Sequence, residues 1–507
     1  MAEQTIYDAI VIGSGASGGW AAKELTESGM QVIVLEAGGP LLNDELLLFQ
    51  QKFRKKLGYN ITADQKALER QPIQANCYAW QSHPHAFVDD INNPYTVTED
   101  KPFTWIRGRQ VGGRMRVKSH GRQFYRFSDY ELKAASRDGY GEDWPIEYAD
   151  LAPYYERVER WMALRGTADN IPNLPDSVLL PGVEMTYGDQ LLKSAVEQKW
   201  EDRRVIGRRT ASPPATLPAA MKTKRLTLRP NAVVSHIIID QNTGKAKGVA
   251  FIDRMTHKSH EVFGNIIVLC ASTIESTRLL LNSATSQHAA GLGNSSGTLG
   301  HFLMDHTFAE NIVSRMPIPK KLQVDKVPSW TYIPQFRNIS ERSPNFIRGY
   351  GIQVVTIGDT CQLTGYGEML PRFENQVTID QNKKDKWGIP VVKIECAHSD
   401  NEVEMARDQF ESSKEMVQAA GFEILQENPN LASPGMGIHE VGTARMGNNP
   451  QKSVLNKFNQ SWDVKNLFIT DGACFASQGS QNPTLTIMAL TVRACDYIVH
   501  QYKQGNL

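Results

Sequence analysis

Near the C-terminus the sequence reads GIHEVGTARMG over residues 437–447. A free imidazole has a pKa of about 6.5, so His439 can accept a proton near neutral pH. No second histidine or cysteine stands at metal-ligand spacing, which removes support for a zinc site; the expected metal content is none. Alone, such a histidine is more often packed than catalytic. Glu440 and Arg445 beside it can simply anchor the turn through an ion pair. A second histidine, His306, follows Asp305 in FLMDHTF. A Ser-His-Asp reading fails there, because no G-x-S-x-G elbow follows a strand. The other stretch with chemical content is GSGASG, which places Gly13, Gly15 and Gly18 in the G-x-G-x-x-G frame.

That frame gains meaning from the elements around it. IYDAIVIG is an apolar run suited to a buried parallel strand. SGGWAAKELTESGM reads as a helix with Gly29 near its C-terminal end, and QVIVLEAGG as the next strand. Glu36 ends that strand, 23 positions after Gly13, close to the ~20 expected of a dinucleotide fingerprint. Each residue has a task. Gly13 permits the tight turn, Gly15 lets the backbone approach a pyrophosphate, and Gly18 lets the helix pack close to the sheet. Ala16 and Ser17 open the helix, whose N-terminus favours phosphate charge. Glu36 accepts from a ribose hydroxyl, and the small Ala37 lets an adenosine lie across the strand ends. RGRQVGGR adds Arg107, Val111, Gly112 and Gly113, more backbone donors than one nicotinamide dinucleotide requires.

The chain has 507 residues, with 55 Lys+Arg against 55 Asp+Glu. A single core stops growing near ~250–300 residues, so two domains, or one with a large insertion, are expected. Zero net charge argues against a nucleic-acid-binding surface. No segment reaches the ~18 apolar residues of a membrane span. The N-terminus enters a strand at once, with no basic region or cleavage site, which reads as cytoplasmic; export bound to a partner that carries the signal is the alternative. The six cysteines, 77, 270, 361, 396, 474 and 495, form no CxxC pair, so disulfide scaffolds and cysteine-bound clusters lose support. Cys270, inside an apolar run, reads as a small core residue.

Residues 226–271 read as strands, LTLRPNAVVSHIIID, GKAKGVAFIDR and SHEVFGNIIVLCAS, followed by the helix STIESTRLLLNSA. RRTASPPATLPAA reads as a connector. VTID and IPVVKIEC form a hairpin around a lysine-rich turn. Ser399 and Glu402 form a capping box for a helix from about 400. Asn482 before Pro483 is a natural N-cap, with proline at the first helical position and the helix starting there. The order is α/β first, mixed strands in the middle and α/β again at the end. We therefore expect a nucleotide domain over 1–300, with irregular insertions at about 50–100 and 130–220, a substrate domain over 301–435, and a return over 436–507.

Taken together, AIVIGSGASGGWAAKEL…VIVLEAGG, RGRQVGGR, RPNAVV, VLCASTIESTRLLLNS, GIHEVGTARMG and NLFITDGACFASQGSQNPTLTIMALTVRACDYI resemble the glucose–methanol–choline (GMC) oxidoreductases, in family order over nearly the whole chain. The resemblance is nearest to bacterial glucoside 3-dehydrogenase catalytic subunits and related pyranose- and C-glycoside-oxidising enzymes, through GEDWPIEYADLAPYYERVE and SPPATLPAAMKTKRLTLRPNAVV. It implies a Rossmann-like FAD domain with a mixed-sheet α+β substrate domain. It implies FAD, held also by Val233, Ala271, Asp471, Gly472, Asn482, Pro483 and Thr484. It implies oxidation of a sugar-ring secondary hydroxyl, at C3, by hydride transfer to the flavin. His439 takes the base role, and Asn482 hydrogen-bonds the same oxygen. The electron acceptor is a cytochrome, quinone, dye or O2, and a small escort subunit is a candidate partner. An O2-using oxidase and a non-sugar alcohol dehydrogenase are the alternatives. Two departures stand out. No cysteine lies between Cys77 and Cys270, where many relatives carry an iron–sulfur stretch. GG is followed by RMRVKSHGRQ instead of Ser-Ser-x-x-Asn; its His120 fits a surface or packing role better than a flavin link. Trp330, Tyr332 and Tyr366 are aromatic candidates for stacking on a sugar, with packing against the sheet the favoured reading.

Overall fold

The strand Ile6–Ile12 is buried through its C-terminal half because Ala9, Ile10, Val11 and Ile12 meet apolar layers on both faces of a sheet. In this computed structural model, residues 5–40, 65–80, 84–117, 122–319, 321, 327–340 and 342–507 are described; His120 lies outside them. Ile6–Ile12 pairs in parallel with Val32–Leu35 on one side and with Ser259–Leu269 on the other. Val32–Leu35 continues to Leu226–Arg229, again parallel. Beyond Ser259–Leu269 lie the antiparallel strands Ala246–Asp253 and Ala232–Ile239. Leu467–Ile469 also pairs in parallel with Ser259–Leu269, so the C-terminal stretch completes the sheet that the N-terminus begins.

The apolar run LTLRPNAVVSHIIID is two strands and not one. Pro230 has no amide hydrogen to donate, and Asn231 has φ +58°. The halves end on opposite edges of the same sheet. Helix Ala16–Glu27 stops before Gly29, whose φ is +103°. It packs against helix Thr484–Lys503, which in turn packs on Tyr148–Met162. The proline-rich connector contains a short helix, Thr216–Lys222, lying against the first helix.

A second sheet runs in the order Glu423–Glu427, Thr307–Arg315, Thr360–Gly367, Tyr350–Ile357, Ser329–Ile333 and Ile206–Gly207, with every neighbour antiparallel. One face is covered by helix Asp400–Ala419, which opens on the Ser399–Glu402 capping box. Ile352, Val354 and Leu363 belong to the apolar core beneath it, with Met405 and Phe410. Gln353 stands opposite Thr364, and Gly351 opposite Tyr366, so these residues share the other face. The hairpin Gln376–Lys384 and Pro390–Glu395 forms as its sequence suggests, and Thr96–Val97 adds to it in parallel. No helix among the described residues is long and apolar enough to cross a membrane.

Candidate functional site

The cavity begins where two glycine loops meet. Gly13 has φ +97°, and a Cβ there would stand 2.3 Å from the Cys270 carbonyl oxygen, so only glycine fits. A Cβ on Gly18 would fall 1.9 Å from the Gly13 oxygen, which is why the helix can start so tightly against its strand. That helix has no side-chain cap at its N-terminus. Its first amides are therefore free to receive an anion. Gly113, with φ +56°, brings the second loop onto the first: a Cβ there would lie 2.9 Å from Gly15 Cα. The Gly112 amide donates to Ser14 Oγ at 2.9 Å and ties the loops together. The Glu36 carboxylate accepts from the Gly38 amide at 2.7 Å and the Ser14 amide at 3.1 Å. Burial pushes its pKa up, against these hydrogen bonds.

Gly13, Gly15, Ala16, Ser17, Glu36, Ala37, Arg107, Gly113, Val233, Ala271, Asp471, Gly472, Asn482, Pro483 and Thr484 line one continuous cavity with His439. Gly18, Val111 and Gly112 do not. Gly18 lies in the helix on the face turned to the Gly13 carbonyl and Cys270, Val111 packs on an apolar cluster, and Gly112 forms the turn with φ +86°. Arg107 lies over the Trp105 ring at 4.0 Å, and burial lowers its pKa to about 10. Asp471 accepts from the amides of Ala473 and Ser272, each at 3.0 Å; burial raises its pKa to about 6.

At the other end of the cavity stands His439. Its loop is pinned by the Asp305 carboxylate, which accepts from the amides of Gly437 at 2.9 Å and His439 at 2.8 Å. Burial, and then the nearby Glu440, raise the Asp305 pKa. Glu440 pairs with Arg114 at 3.1 Å; Arg445 lies over the Phe302 ring and donates to the Lys452 carbonyl, so the two turn residues do not pair with each other. His439 Nε2 is 3.0 Å from Asn482 Nδ2. Its Nδ1 is 2.9 Å from His306 Nδ1, and His306 Nε2 is 2.8 Å from the Gly479 carbonyl oxygen. A carbonyl only accepts, so His306 donates from Nε2. A neutral His306 then accepts at Nδ1, and His439 donates from Nδ1. The His439 lone pair therefore lies at Nε2, facing Asn482. Burial, followed by the charges His306 and Arg114 would exert, holds the His439 pKa well below 6.5. Burial lowers that of His306 to about 4.

Asn482 does not act as a helix cap. The helix is Thr484–Lys503, Pro483 occupies the cap position, and no side chain caps it. The Asn482 amide reaches across the cavity instead, where its Oδ1 accepts from Gln353 Nε2 at 3.3 Å. Tyr366 also lines the cavity, its ring 5.6 Å from that of His439. Tyr332 is buried and stacks on Tyr125 at 4.4 Å. Trp330 takes the Arg208 guanidinium over its ring. His306 and Gln353 are the site residues that the sequence reading missed. The Asp-His pair before a strand was the available signal for His306; a glutamine in an apolar strand was the weaker one for Gln353.

The GMC oxidoreductase N-terminal model matches residues 7–308, and the C-terminal model matches 371–491. The chain is 27% identical to a 2-methyl-1,2-propanediol dehydrogenase of Mycolicibacterium austroafricanum, over 99% of this chain and 96% of that protein. It is 25% identical to the fructose dehydrogenase large subunit of Gluconobacter japonicus, over the full length of both. The fold is similar to that of a formate oxidase from Aspergillus oryzae, with a TM-score of 0.66 at 14% identity, covering 99% of this chain and 100% of that one. The paired glycine loops, the uncapped helix start and the buried Glu36 fit FAD as cofactor. With both halves of the family matched around this cavity, the chain belongs to the GMC oxidoreductases, FAD-dependent enzymes that oxidise the CH–OH groups of alcohols and sugars.

Proposed function

We propose that the enzyme oxidises a secondary hydroxyl of a sugar or glycoside, at C3 of the ring, to a ketone. The observation that carries the proposal is the His439–Asn482 pair, 3.0 Å apart, with an unprotonated Nε2 turned toward the cavity. FAD, when bound, supplies the hydride acceptor. Its dinucleotide would be held by Gly13, Gly15, Ala16, Ser17, Glu36 and the 107–113 loop, and its flavin end by Asp471, Gly472, Pro483 and Thr484. The helix that starts at Thr484 directs its uncapped N-terminus, with partial positive charge, at the cavity.

His439 Nε2 takes the hydroxyl proton once the substrate oxygen has replaced Asn482 Nδ2 as its partner. Its Nδ1–H remains held by His306, which keeps the imidazole oriented as it becomes charged. Asn482 Nδ2 donates to the same substrate oxygen and selects which C–H faces the acceptor, a positioning role. The cavity face of the second sheet, in the 301–435 region, supplies Tyr366 and Gln353 as a wall for the substrate. The C3 assignment is supported by the GEDWPIEYADLAPYYERVE and SPPATLPAAMKTKRLTLRPNAVV segments.

An anaerobic panel of methyl glycosides should bleach the flavin, with product regiochemistry read by NMR. His439→Ala should slow that reduction by ~10²–10⁴-fold; an unchanged rate returns His439 to the packed histidines. A simple diol in the same panel tests the non-sugar reading, favoured by the similarity to the propanediol dehydrogenase. Peroxide formed under air distinguishes an oxidase from a dehydrogenase that passes electrons to a cytochrome, quinone or dye. Co-purification from the native host tests for a small partner subunit, suggested by the likeness to a protein described as a large subunit.

A further inference from the structure

We propose that Gln353 is a positioning residue that holds the Asn482 amide with Nδ2 toward His439, and so keeps unprotonated the lone pair that Gly479 and His306 place at Nε2. The inference rests on the reading of His439 as the base. Gln353 lies on Tyr350–Ile357, opposite Tyr332 on one neighbouring strand and Thr364 on the other. It is only 7% exposed and lines the cavity. From it, four donations run one way: Gln353 Nε2 to Asn482 Oδ1, Asn482 Nδ2 to His439 Nε2, His439 Nδ1 to His306 Nδ1, and His306 Nε2 to the Gly479 carbonyl.

The far end of this chain is immovable, because a carbonyl oxygen cannot donate. Reversal at Asn482 would present its Oδ1 to His439 Nε2, which would then need a proton. His439 or His306 would have to carry two. The His306 ring is buried, 1% exposed, and its polar contacts are Gly479 and His439. Burial lowers its pKa to about 4, so a second proton there is disfavoured. The far end therefore fixes the polarity, and a residue at position 353 that can only accept sets the Asn482 amide against it.

Gln353→Glu changes that end from donor to acceptor while keeping the shape. Both ends then accept. The Asn482 amide must turn, and His439 must donate from both nitrogens, which makes it a cation and removes the base. The charged or titratable groups around His439 are unchanged: His306 at its Nδ1, Asp305 on its backbone amide, Glu440 paired with Arg114, and the Tyr366 ring. Arg114 opposes the cation; the carboxylates favour it. Gln353→Met removes the donor without adding charge, and leaves the His439 lone pair alone to orient the Asn482 amide.

The test is ¹⁵N-histidine NMR of the FAD-loaded protein across neutral pH, with His439→Ala assigning the resonances. Wild type should show a neutral His439 protonated at Nδ1. Gln353→Glu should show the cation at pH 7. Its anaerobic flavin reduction by methyl glucoside should drop by ~10²-fold at pH 7, the low end for loss of a general base, and recover as the pH is raised. Gln353→Met should leave His439 neutral and protonated at Nδ1, because Gly479 and His306 still fix that end, with no alkaline shift of the rate profile. A neutral, Nδ1-protonated His439 in Gln353→Glu, or a cationic His439 in Gln353→Met, overturns the proposal. A slow His439→Ala beside a wild-type Gln353→Glu spectrum sinks the chain and leaves the base standing. A wild-type rate in His439→Ala removes the base, whatever the spectra show.

Discussion

Replacing His306 by leucine separates the role of its ring nitrogens from that of its bulk. In the wild type, His306 Nδ1 accepts from His439 and His306 Nε2 donates to Gly479. Leucine fills much of the space and offers neither contact. The His439 Nδ1–H is then buried without an acceptor, at a cost of ~1–3 kcal/mol. The imidazole can escape that cost by moving its proton to Nε2, where the base must be empty. With 1.36 kcal/mol per tenfold, the active tautomer becomes about 5–150-fold scarcer, and flavin reduction slows in proportion. Stability falls too, because the Gly479 carbonyl loses its donor. Glutamine at 306 can accept and donate at once, so His306→Gln should recover much of the rate. The assay is anaerobic stopped-flow reduction at saturating substrate, with FAD content and denaturation midpoint measured on each variant. A folded, FAD-loaded His306→Leu that reduces at the wild-type rate refutes the reasoning. Equal slowing by leucine and glutamine would reduce His306 to a matter of packing.

Three other outcomes are expected. His439 accepts a proton only above its own pKa, which burial holds well below 6.5; the reduction rate should stay flat as pH falls to 6.5 and decline only in more acid solution, and an acid limb at or above 6.5 contradicts this. Gly113→Ala should weaken FAD binding ~5–30-fold by fluorescence titration, because αL costs a non-glycine residue ~1–2 kcal/mol and the new Cβ presses on Gly15; wild-type affinity would show that the loops can part freely. Arg126→Met strands Glu159, whose side chain is fully buried, and should destabilise the fold by ~3–5 kcal/mol in urea denaturation; an unchanged midpoint would mean that the buried charge finds another partner.

The dinucleotide loop was legible because its chemistry is local. Gly18 and Glu36 are fixed by backbone contacts within one βαβ unit, and the Ser399–Glu402 box by one helical turn; Gly13 stands in the same frame, though the carbonyl that demands it belongs to Cys270. The run at 226–240 was not. Nothing in its apolar pattern says that Leu226–Arg229 joins one edge of a sheet and Ala232–Ile239 the other. His306 and Gln353 were hidden for a related reason. Their partners lie 133 and 129 residues away, and which face a strand residue takes follows from register set elsewhere. Asn482 misled in the opposite direction: its sequence neighbours suit a cap, but a partner across the cavity claims its amide.

The pairing of Ser259–Leu269 has a consequence for how the chain is made. Its first partner, Ile6–Ile12, leaves the ribosome roughly 250 residues earlier, and its last, Leu467–Ile469, roughly 200 residues later. At about 5–20 residues per second, those waits come to roughly 10–50 s and then another 10–40 s. Throughout the second interval the nascent sheet carries an open apolar edge at Ile267–Leu269, the kind of surface that recruits a neighbouring chain. Newly made protein in this window is therefore expected to be aggregation-prone. Truncation before residue 467 leaves the edge open for good.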